Sequence, residues 1–149
     1  MKYLTTMCLV LLTLYAVPAH AQKPTASRSS LFPNVPENIN CTEAQLDRIF
    51  NYLQGQNVSL AFANNFTLSG SVTSNLVKYS NLQTIVIKLP AFSNTLFSLS
   101  KQTDNNQITF VGRIFNPAYS DALELKRNAN GDYQLIKIDA KNILVDCIQ

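Results

Sequence analysis

From Asn57 to Ile138 apolar residues recur at every second position, interrupted by turn-forming residues, and this alternation commits most of the chain to half-buried β-strands. Val58, Leu60 and Phe62 alternate with Ser59, Ala61 and Ala63; Asn64-Asn65 predicts a hairpin turn; Phe66, Leu68, Gly70 and Val72 resume the pattern. Residues 82–89 contain Ile85-Val86-Ile87, apolar on both faces and ended by Pro90, the pattern of a central strand covered on both sides. Residues 95–101 and 107–115 read as the next pair, joined through Asp104-Asn105-Asn106, with Ile108, Phe110, Gly112 and Ile114 on one face. Leu123 and Leu125 open the last hairpin, Asn130-Gly131 predicts a type I′ turn, and residues 133–138 return. Ile143-Leu144-Val145 reads equally as a short strand or a turn of helix.

One helix precedes the strands. Thr42-Glu43-Ala44-Gln45 is a capping box, in which the Thr42 hydroxyl accepts a backbone N–H and Gln45 reaches back to the cap. Leu46, Ile49, Phe50 and Leu53 form one apolar stripe, Gly55 supplies the stop, and Glu43, Asp47, Arg48 and Asn51 make the solvated face. The expected fold is therefore α+β: one N-terminal amphipathic helix packed on a curved, mostly antiparallel meander sheet of about six or seven strands.

The start of the chain carries an export signal. Lys2 supplies a positive charge, residues 4–17 are apolar apart from three threonines, and Pro18 then Ala19-His20-Ala21 give a small-x-small cleavage site before Gln22. The apolar run is shorter than the roughly 20 residues that span a bilayer, and Thr5-Thr6-Met7 before Cys8 is not a lipoprotein signal. Residues 1–21 are thus read as a signal peptide, 22–40 as a Ser- and Pro-rich linker, flexible or tacked down by Leu31, Phe32, Val35 and Ile39, and 41–149 as a single domain. The expected destination is a periplasm or the exterior.

Cleavage changes the chemistry available. Without Lys2 the formal charge falls from +3 to +2, and the basic residues are scattered, which points away from nucleic acid and anionic membranes. His20, the one histidine, is lost, and with it Ser-His-Asp, Cys-His and histidine-zinc sites. Cys41 and Cys147 remain, an even pair that reads as a disulfide in an oxidising compartment. Loop-closure entropy credits a bond across that separation with about 4–5 kcal/mol. The four glycines form no phosphate-binding loop, and no cofactor or metal is implied.

Carboxylate chemistry survives this filter. Asp121 and Glu124 are the nearest pair, although an odd separation on a strand sends them to opposite faces; Asp47 with Asp139 is a distant alternative. Asn128-Ala129-Asn130-Gly131-Asp132 carries alternating oxygen ligands, yet Lys126 stands where a calcium loop needs its first ligand, so a hairpin turn is the better reading. The absence of Trp weakens a sugar-stacking platform, and the sequons at Asn40, Asn57 and Asn65 matter only in a eukaryotic secretory pathway.

Residues 112–117, 121–125 and 131–137 (Gly112-Arg113-Ile114-Phe115-Asn116-Pro117, Asp121-Ala122-Leu123-Glu124-Leu125 and Gly131-Asp132-Tyr133-Gln134-Leu135-Ile136-Lys137) resemble the C-terminal part of small secreted proteins of the Bacteroidetes. That resemblance implies a bacterial origin and carries no site residues.

Three functions stay open at this stage. The first is a secreted or periplasmic non-catalytic binding or interaction domain with an unknown protein partner, its surface being Arg113, Tyr119, Asp121 and Glu124 around the Asn116-Pro117 loop, or an exposed sheet edge. The second is a carrier of a small apolar ligand between helix and sheet, lined by Ile85-Val86-Ile87 and the phenylalanines. The third is a carboxylate-based hydrolase.

Overall fold

The computed structural model describes residues 28–63 and 65–145; the signal segment, the Ala21–Gln22 cleavage site, Asn64 and Cys147 lie outside the described residues. The elements are β1 (Asn38–Cys41), α1 (Glu43–Ile49), β2 (Asn57–Ala61), β3 (Thr67–Tyr79), β4 (Leu82–Leu89), a 3₁₀ turn (Pro90–Phe92), β5 (Thr95–Asp104), β6 (Gln107–Phe115), β7 (Asp121–Arg127), β8 (Tyr133–Asp139) and α2 (Ala140–Val145). They build one antiparallel sheet in the order β1-β8-β7-β6-β5-β4-β3-β2, curled into a half-barrel.

This overturns the α+β expectation. The fold is mostly sheet, with eight strands, and its first helix has only seven residues. The capping box forms as read: Gln45 N donates to Thr42 Oγ1 at 3.1 Å and Thr42 N to Gln45 Oε1 at 2.8 Å. The helix then stops at Phe50, and Leu53, placed on the apolar stripe by its spacing, is 67% exposed. The strand missing from the expectation is β1, where only Ile39 and Cys41 alternate, too few positions to signal a strand. Its partner is β8, nearly a hundred residues away, with Ile39 opposite Leu135 and Cys41 opposite Tyr133.

The core lies in the concave face. Val58, Leu60, Leu68, Val72, Ile85, Ile87, Leu89, Phe97, Leu99, Phe110, Ile114, Leu123, Leu125, Tyr133 and Leu135 alternate into it from β2 to β8. Each fully buried aliphatic or Phe side chain there contributes about 1.5–3 kcal/mol. β4 is central, but Val86 is only half-buried and shares the outer face with its neighbour Ser98, so the strand is covered on one side, not both.

Both ends of the half-barrel are plugged. At one, α1 inserts Leu46, Ile49 and Phe50, the last with its ring centroid 6.2 Å from Phe110; Asn75 Nδ2 donates to the carbonyls of Phe50 (2.9 Å) and Tyr52 (2.8 Å) after the helix. At the other, the segment before β1 lays Leu31 and Phe32 into the core, with Phe32 5.2 Å from Phe92. Two turns illustrate how asparagine geometry sets hairpins. Asn105 and Asn106 both have positive φ and make a two-residue β5–β6 turn. The β7–β8 connection is not the expected type I′ turn: only Gly131 has positive φ, and the loop spans residues 128–132. Asn128 Oδ1 there accepts from Asn130 N (3.0 Å) and Asp132 N (2.9 Å), which uses up the oxygen that a calcium ion would need.

Candidate functional site

The four residues first grouped as a recognition surface separate into three places. Arg113 on β6 and Glu124 on β7 are register partners on the outer face; Arg113 Nη2 donates to Glu124 Oε1 at 2.8 Å, and Lys126 Nζ lies 3.0 Å from Oε2. Burial alone would raise the Glu124 carboxyl, but hydrogen bonds and charge from Lys126 and Arg113 outweigh it and hold the group below the ordinary glutamate range. A lowered folded pKa means that these pairs contribute stability above the unfolded value of about 4.3, lost as pH falls through the folded value. Urea unfolding at pH 6 and pH 3 should therefore show a larger loss for the native chain than for Glu124→Gln; equal losses would refute this.

Asp121 faces the other way and is buried. Its oxygens accept from Leu31 N (2.5 Å), Phe32 N (3.1 Å) and Ser30 Oγ (2.5 Å), so it anchors the segment that plugs one end of the sheet. Tyr119 is half-buried against the core, with its hydroxyl donating to Ser93 Oγ at 2.8 Å, while Asn116 closes its own turn by accepting from Ala118 N at 3.0 Å. Asp121 and Glu124 thus do not converge. Asp47 binds Lys101, whose strand neighbour is Phe110; Asp139 sits at the opposite end of the sheet beside Asp121. Among the described residues no group of three His, Cys, Asp or Glu is placed to hold a metal ion.

Of the residues proposed to line a ligand pocket, Val86 turns to the outer face. Ile85, Ile87 and Phe97 are core, fully buried in the same cluster as Leu46 and Ile49 of α1. One concavity lies beside the sheet, where Gln45, Arg48, Ile49 and Tyr52 of the α1 region face Ser59, Leu60, Ala61 and Phe62 across a groove of about 240 Å³. That is below the roughly 300–1,000 Å³ of small-molecule sites; a second, more open hollow of about 380 Å³ is lined by Asn57, Val58, Ser69, Gly70, Ser71, Pro90 and Ala91.

The wall of this groove is the edge of the sheet. Phe62 N donates to Phe66 O at 2.8 Å and Val72 N to Gln56 O at 2.9 Å, so even-numbered residues of β2 bond toward β3. Asn57, Ser59 and Ala61 then turn their N–H and C=O groups outward; Gln45 Nε2 takes the Ala61 carbonyl at 3.1 Å. Sequence reasoning named a sheet edge as an interaction surface without saying which, because edge status follows from strand order rather than local pattern.

No protein-family model, curated protein or solved structure matches the chain. Among the described residues no helix is long and apolar enough to cross a membrane.

Proposed function

We propose that this chain is an exported, non-catalytic binding module that takes an extended polypeptide segment as an added strand on the edge of β2, against α1. The observation that carries the reading is the outward-facing backbone of β2 at Asn57 and Ser59, on an edge strand whose Ser59–Ala61 stretch, with Phe62, walls an apolar-floored groove. Backbone hydrogen bonds along such an edge provide affinity, and the pockets beside it select side chains. The distribution of the carboxylates, each tied to a cation or to backbone where an acid pair was considered, favours binding over hydrolysis.

The test is a random heptapeptide library selected on the exported protein, followed by Ser59→Pro. Proline removes an N–H that faces away from the β2–β3 ladder, so the fold is retained while strand addition is blocked. Selected peptides should lose binding to Ser59→Pro; peptides that bind the variant as tightly as the native chain would overturn the proposal.

A Cys41–Cys147 disulfide belongs to the same proposal. Cys41 faces the core, 2% exposed, and burial, opposed in part by the Leu135 backbone hydrogen bond, pushes its thiol up to about 11. Tyr133 beside Cys41 and Asp139 before α2 stand at opposite ends of β8, about 20 Å apart at strand rise. The bond requires the chain after Asp139 to run back along that strand. Alkylation in denaturant without reductant should leave both cysteines unlabelled; two added alkyl groups would show free thiols.

A further inference from the structure

We infer that the segment added to β2 is the C-terminal end of an apolar polypeptide, with its terminal carboxylate held by Arg48. This rests on the strand-addition reading and adds the chemistry and direction of the ligand.

The edge is closed at its Ala61 end. Beyond Asn57 and Ser59, the Ala61 carbonyl is already taken by Gln45, and Ala63 N donates to Asn40 O at 3.4 Å, joining the end of β2 to β1 across the gap. A segment running on through the groove would meet this closure, whereas a chain terminus stops short of it. The free stretch offers two outward-facing residues, Asn57 and Ser59, a length suited to the last few residues of a chain.

Charge points to the same ligand. Arg48 lines the groove one turn along α1 from Gln45, and thus near the closed end. The acids next to it on the helix are engaged elsewhere: Asp47 with Lys101 at 2.5 Å and Glu43 with Arg127 at 3.5 Å. Among the described residues the Arg48 guanidinium bonds only through Nε, to Ala44 O at 3.2 Å, and no carboxylate lies within 4 Å of it. A guanidinium with its terminal nitrogens uncommitted, beside outward backbone groups and a floor of Ile49, Tyr52, Leu60 and Phe62, matches an apolar C-terminal residue with a free carboxylate. With the carboxylate at the closed end, the ligand runs parallel to β2.

The experiment compares two random heptapeptide libraries on the exported protein, one displayed with a free C-terminus and one displayed internally. The best peptide is then synthesised as the acid and the amide. Enrichment in the free-terminus library, an apolar last residue, and binding of the acid about tenfold tighter than the amide are expected. Arg48→Gln should bind acid and amide alike. An amide that binds the native protein as well as the acid, or enrichment of the internal library alone, overturns the carboxylate inference while Ser59→Pro sensitivity still upholds strand addition. Failure of both libraries to yield a Ser59→Pro-sensitive peptide overturns both.

Discussion

Replacing Asp121 with alanine should lower the free energy of unfolding by about 3–5 kcal/mol, a large part of a small domain's total. The carboxylate receives two backbone N–H groups, from Leu31 and Phe32, and the Ser30 hydroxyl, while Asp121 itself is only 8% exposed. Alanine leaves the two amides buried without an acceptor, and an orphaned buried donor costs about 1–3 kcal/mol. The Ser30 hydroxyl can rotate toward water and adds less. Asp121→Asn keeps the shape but turns an amide NH₂ toward groups that are themselves donors, so it should recover only part of the loss. Damage should begin at the plug: Leu31 and Phe32 would leave the core, and protease should cut near residues 28–36 before the sheet unfolds. Urea unfolding of both variants measures the effect. A loss below 1 kcal/mol for Asp121→Ala would mean that the segment before β1 is held by Phe32 packing alone.

The same residue marks how far the sequence could be read. The period-two alternation places Val58, Leu60, Leu68, Val72, Phe110 and Ile114 on the correct face, because the pleat alone dictates it. The capping box was equally legible, since all its atoms lie within four residues. What was not legible depends on contacts distant in sequence. Asp121 looked like a loop acid near Tyr119 and Arg113, but its partners lie about ninety residues earlier, in a stretch whose prolines and serines suggest a linker. β1 is hidden for the same reason, being specified by β8 rather than by its own four residues. By its helical spacing alone Arg48 belongs to a solvated face. Only the strand order, which makes β2 an edge, turns that face into the wall of a groove.

Gly70 offers a case where local propensity and packing predict opposite signs. Glycine within a strand is less stable than alanine by about 0.5–1 kcal/mol, so propensity alone says that Gly70→Ala should stabilise β3. The sheet says otherwise. A Cβ at Gly70 would sit 2.3 Å from the Lys88 carbonyl oxygen, 2.9 Å from Ile87 Cγ2 and 3.1 Å from Leu89 Cδ2. The nearest of these is backbone, which cannot swing aside as a side chain can. It lies where β3 and β4 begin their pairing, at Ser71 opposite Lys88, just before the register shift between Val72 and Ser74 that bends the strand. Relieving the clash means parting the two strands at this point, which loosens the seam between β2–β3 and the rest of the half-barrel. Gly70→Ala should therefore destabilise by about 3 kcal/mol or more, the upper end for overpacking. Ser69→Ala, whose exposed neighbouring side chain meets only Ser59 across the strands, should stay within about 0.5 kcal/mol of the native chain. A Gly70→Ala variant as stable as Ser69→Ala would show that the two strands do not approach this closely, and that the curl of the sheet is set elsewhere.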